Sequence, residues 1–207
     1  PRSTLFPYTT LFRSTVVGHW NVAIITPPWI QNQFPEFKVT EDIPLEIGIN
    51  IRDIRFTIKD LVINPSPNRL IISPKVETNE CFENLISLMS GIIEKLNHTP
   101  MIAVGSNFAY VLDKSEEIIP ILKDAERLDD YYSKIGKKFS GNFVAQHVLV
   151  ENDMQITVFY NISPSARIVT FNYNINTNRL GHIVEFIKDF SKQKNDSLGL
   201  LKNLLGK

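Results

Sequence analysis

The chain has 207 residues, 43% apolar and 21% charged, and its 22 Lys and Arg are balanced by 22 Asp and Glu. That composition is ordinary for a globular protein long enough to bury a core without staples. Without a basic surplus nucleic-acid binding has no electrostatic support, no apolar run approaches the roughly 20 residues that span a bilayer, and the single Cys81 leaves no internal disulfide. These features lead us to expect a cytoplasmic protein with neither a nucleic-acid nor a membrane partner.

Taken in chain order, the first segment stands apart. Residues 4–14, from Thr4 through Tyr8 and Phe12 to Ser14, resemble one reading frame of a short-read sequencing adapter, with Pro1–Ser3 as junction. The expectation is a non-native segment 1–14, to be left out of fold reasoning, and a single domain over 15–207. Removing 1–14 takes out Arg2 and Arg13 and leaves two excess acidic charges. The first Met is Met89, so the reading also expects the native start upstream.

The apolar run Trp20–Ile25 ends at Thr26-Pro27-Pro28, which reads as a stop, and 31–43 reads as irregular. Strict alternation over 45–51 gives the cleanest strand signal. A second strand is expected over 54–63, interrupted at Lys59-Asp60, and a third over 69–76, with 64–68 as the turn of a hairpin between them. Thr78 or Asn79 caps a helix whose Phe82, Leu85, Met89, Ile92 or Ile93, and Leu96 share one face. Gly91 inside it marks a close approach, expected to be toward the sheet. After His98-Thr99-Pro100, residues 101–112 form a central strand. Its larger face is Ile102, Val104, Phe108 and Tyr110, and its smaller face includes Ala103, Gly105, Asn107 and Ala109. A connector helix is expected at 115–135, then strands at 142–150, 154–160 and 167–175, a third helix at about 178–194, and a short amphipathic tail.

Ile63 to Ile71 and Ile162 to Val169 each run through a Pro/Ser turn and an Arg into an apolar strand, and Thr-Asn precedes the helix that follows in both copies. The fold expected is therefore α+β: two duplicated βββα modules of mostly antiparallel sheet packed on helices, with one additional central strand. Module one is 44–112 and module two is 141–194, with 115–135 between them and a tail at 195–207.

Chemistry-bearing residues are sparse. His98 follows a helix C-terminus, where the dipole favours its charged form; with Ser106 and Asn107 it could line a polar pocket. Arg69 and Arg167 hold matching places after the two turns and are candidate anion contacts. No two of His98, His147 and His182 have metal-ligand spacing, so neither metal nor cofactor is expected. The chain has no phosphate-binding glycine loop and no Gly-x-Ser-x-Gly elbow. Cys81 near a helix start keeps company with Phe82 and Leu85, which suits a core thiol.

The run from His98-Thr99-Pro100 through Gly105-Ser106-Asn107-Phe108, with the sheet before it, resembles a family of uncharacterised prokaryotic or phage proteins with a His-Thr-Pro and Gly-x-Asn-Phe strand. The likeness covers about residues 20–112 and implies no catalytic residue. The function expected is a non-enzymatic binding or scaffolding protein, with a protein partner or self-association. One form of it resembles the client-binding chaperones of the SecB type. The alternative is a small enzyme with a site between the modules, built from His98, Asn107 and a carboxylate of the 115–135 helix.

Overall fold

The computed structural model describes residues 11–40, 42–47, 54–112, 134, 143–151, 154–162 and 167–205. Within them the α+β class holds, with antiparallel strand pairs and helices packed on sheet. The strands are β1 (Leu11–Gly18), β2 (Glu46–Ile47), β3 (Ile54–Ile58), β4 (Leu61–Ser66), β5 (Arg69–Pro74), β6 (Met101–Val111), β7 (Phe143–Glu151), β8 (Met154–Ile162) and β9 (Arg167–Asn176). The helices are α1 (Pro27–Gln33), α2 (Asn79–Lys95), α3 (Leu180–Lys188) and α4 (Phe190–Leu204). Apart from Lys134, which is helical, the expected connector helix lies outside the described residues.

The chain divides into two compact units. The first comprises Phe12–Asn107 and Tyr173–Lys192, and its strands run in the order β2-β3-β4-β5-β1-β6-β9. Its organising element is α2. Thr78 Oγ1 accepts the Cys81 amide and so caps the helix start, as the sequence predicts. Phe82, Leu85, Leu88, Met89, Ile92 and Ile93 are buried along one stripe, against β4, β5 and α3. Each such side chain contributes about 1.5–3 kcal/mol when fully buried. A run of rings, Phe12–Phe82–Phe190, crosses this core with centroids 6.1 and 5.9 Å apart. Residues 11–14 of the adapter-like segment thus lie in β1, with Phe12 and Ser14 buried.

Several local expectations change. Lys59-Asp60 is not an interruption within one strand but a two-residue hairpin turn: β3 and β4 pair antiparallel, Ile58 opposite Leu61. Both turn residues have positive φ, 46° and 59°, which a tight hairpin of native twist demands even of non-glycine residues. Asn64-Pro65-Ser66 belongs to β4, and the turn to β5 is Pro67-Asn68, braced by the Ser66 hydroxyl 3.0 Å from the Arg69 carbonyl. Thr26-Pro27-Pro28 starts a helix rather than stopping one. Proline suits the first turn, which has no amide partner to lose, and Thr26 Oγ1 accepts the Trp29 amide. Of the alternating stretch 45–51, only Glu46–Ile47 is a described strand.

Gly91 marks a close approach, but to the Phe34 ring rather than to the sheet: a Cβ there would lie 2.5 Å from Cε1. Ile102, expected on the buried face of β6, is exposed and Met101 is buried, so the alternation changes phase before Val104. Gly105 lies where a Cβ would come 3.0 Å from the Tyr173 carbonyl, a close backbone approach that a larger residue would have to push back.

The second unit comprises Phe108–Asn172 and Gln193–Lys207 with Pro1–Leu11, and its strand order is β6-β9-β8-β7. In chain order three strands precede α3, as three strands precede α2. The expected third helix is two helices broken at Asp189, and the expected tail is the second of them, with Ser197, Leu201 and Leu205 buried close to its C-terminal end. Tyr110 of β6 reaches Ser197: the hydroxyls are 2.6 Å apart, and Ser197 Oγ donates onward to the Lys194 carbonyl at 2.7 Å. Tyr110 also meets Phe171 edge-on, at 6.0 Å.

Candidate functional site

The pocket expected of His98, Ser106 and Asn107 is not assembled as a pocket. His98 is exposed on the link that follows α2. Ser106 and Asn107 are consecutive on β6, and successive strand residues point to opposite faces. Ser106 is fully buried with Val104 and Phe108, while Asn107 is half-buried on the other face. The Ser106 hydroxyl finds no protein hydrogen-bond partner, and neither do Ser14 and Ser90 in the same unit. Of the two candidate anion contacts, Arg69 is exposed at the start of β5 in the first unit. Arg167 is half-buried at the start of β9 in the second, where its carbonyl accepts the Leu112 amide at 2.8 Å.

Cys81 is buried, and its Sγ lies 3.5 Å from the Asp60 carbonyl. Burial pushes the thiol pKa up, with the nearby Asp60 and Glu80 charges acting in the same direction. A thiol held protonated is a poor nucleophile. Burial likewise pushes the Tyr160 phenol up to about 12. Among the described residues no three His, Cys, Asp or Glu side chains gather as a metal group, and no helix is long and apolar enough to cross a membrane.

What the structure does present is a strand edge that sequence reasoning missed. β7, Phe143-Val-Ala-Gln-His-Val-Leu-Val-Glu151, pairs with β8 along its whole length, from Phe143 opposite Ile162 to Glu151 opposite Met154. The inner strand β8 buries Ile156, Val158 and Tyr160. Among the described residues β7 is the terminal strand, with β8 as its one neighbour in the strand order. Val148, Leu149 and Val150 are 50%, 38% and 70% exposed. Because consecutive residues alternate, both faces of this stretch are uncovered. The strand has no proline and no lysine, two devices that commonly blunt an edge.

Such an edge can hydrogen-bond an added strand and offer it apolar cover on both faces. Its run of apolar residues reads in sequence as a buried strand. Exposure depends on which strand lies next to it, and residue spacing carries no such information.

No protein-family model matches this sequence, and no curated protein matches it.

Proposed function

We propose that this chain is a binding or scaffolding protein rather than an enzyme, and that it takes its protein partner by strand addition at β7. One observation carries the reading: an unblunted nine-residue terminal strand with three consecutive exposed apolar residues. Long, apolar, uncovered edges are costly to keep, because they template unwanted pairing. An edge retained in that state is best explained by use.

The test is binding of a reduced, carboxymethylated unfolded reporter polypeptide, followed by fluorescence anisotropy, beside a thermal-shift screen of metabolites. Binding that is lost in the Val148→Lys/Val150→Lys variant, with no metabolite raising Tm, is the expected result. A chain that binds neither the reporter nor itself, and that one metabolite stabilises strongly, would overturn the reading in favour of a small-molecule site.

A further inference from the structure

We infer that the strand taken up at β7 is β7 of a second copy, paired antiparallel about Leu149. This rests on the strand-addition reading and names its partner. A two-fold axis at Leu149 puts Leu149 opposite its own counterpart, Val148 opposite Val150 of the second copy, and His147 opposite Glu151 of the second copy. The central matches set branched apolar residues against one another. Directly opposed pairs of this kind are the stabilising unit of an antiparallel ladder. The residues that cover one another are the three that stand exposed in the single chain.

Residue pairing also discriminates against the obvious competitor. Full overlap of the nine-residue strand would centre on His147. It would set His147 against itself, Phe143 against Glu151, and Val148 against Gln146. That arrangement gains backbone hydrogen bonds but sets Val148, Leu149 and Val150 against Gln146, Ala145 and Val144, so the three exposed residues no longer cover one another. Charge does not oppose association of two copies, since the chain is formally neutral and β7 carries Glu151 as its one formal charge. The Leu149-centred overlap is five residues long and buries far less than a standard interface, so the dimer dissociates at micromolar concentration or above, on the order expected for small transient contacts.

The test uses the full chain, with Cys81 buried and so a silent background thiol. Sedimentation velocity over rising concentration should show a reversible monomer–dimer equilibrium, shifted at least tenfold toward monomer in Val148→Lys/Val150→Lys. Under mild oxidation Leu149→Cys should form a covalent dimer. His147→Cys should not, because in this register two residues 147 lie about four residues, roughly 13 Å, apart along the ladder. Cross-linking at 147 in place of 149 would overturn the register. A chain monomeric at every concentration that still binds the unfolded reporter through β7 would overturn self-pairing and leave the strand-addition reading standing. A monomer that binds neither would overturn both.

Discussion

Two hairpins of this chain invite comparison. β3–β4 is short, and everything around its tip holds it. Asp60 offers its carbonyl to the Lys75 amide at 2.7 Å and to Cys81 Sγ, and the Lys59 ammonium lies 5.7 Å from the centre of the Phe37 ring. Its outer flank is closed by β2, with Glu46 ion-paired to Arg55. β7–β8 is longer, and its outer strand is left open, with apolar side chains in water. Ladder length therefore does not decide which hairpin is finished. What decides it, among the described residues, is whether the last strand is charged and tied or presents exposed apolar side chains.

The sharpest way to break this contrast is truncation on each side. Phe56→Ala, in the core beneath the tied hairpin, should cost about 3–5 kcal/mol in urea unfolding, and Val150→Ala on the open strand about 0.5 kcal/mol or less. Comparable losses would mean that β7 is as deeply committed to the fold as β3.

Alkali gives the next largest effect. A phenol with its folded pKa raised keeps its proton where the unfolded chain has lost it, so the folded state binds more protons between the two values and stability falls as pH rises. For Tyr160 on β8 the window runs from the ordinary value of 10.0 to about 12, and the loss should reach about 2–3 kcal/mol. Tyr160→Phe should flatten that part of the pH profile. Cys81, raised from 9.0 in the tied region, has the same sign, and its contribution begins to be lost above that pH. Melting curves taken across this range separate the two.

Gly91→Ala should displace the Phe34 ring, which meets Trp29 edge-on at 5.9 Å. The net cost is about 1–3 kcal/mol despite the better helix propensity of Ala, and a change in the near-UV circular dichroism of Trp29 should accompany it. The smallest effect is a gain: Asp60→Gly, relieving a left-handed residue at the tied tip, should stabilise by about 1 kcal/mol or less. A loss there would mean that the Asp60 side chain contributes more to the tip than its backbone strain costs.

Periodicity was sufficient for α2 and most of β6. A seventeen-residue amphipathic stripe with a Thr cap, and an eleven-residue apolar strand closed off by Pro100, are local signals that tertiary structure did not override. The Lys59-Asp60 turn was hidden because neither residue is the Asn or Gly that such turns favour, so the strand seemed to run on. α1 is hidden because Thr26-Pro27-Pro28 reads as a stop, whereas prolines at a helix start are compatible with the helix. β1 escapes a reading that excludes residues 1–14, although Phe12 is buried against Phe82 in the first core. At the candidate site, His98, Ser106 and Asn107 are neighbours in sequence, but strand alternation sends Ser106 and Asn107 apart. The open edge is a property of strand order, and strand order is not a local property at all.

The lone thiol has a consequence of a different kind. Cys81 is buried with its Sγ 3.5 Å from the Asp60 carbonyl of the tied turn, so a thiol reagent reaches it when the structure around that turn and the start of α2 opens. At low reagent concentration the labelling rate then scales with the population of the opened state; at high concentration it plateaus at the opening rate itself. The native chain thus carries a built-in clock for local opening near that turn, readable without an engineered cysteine.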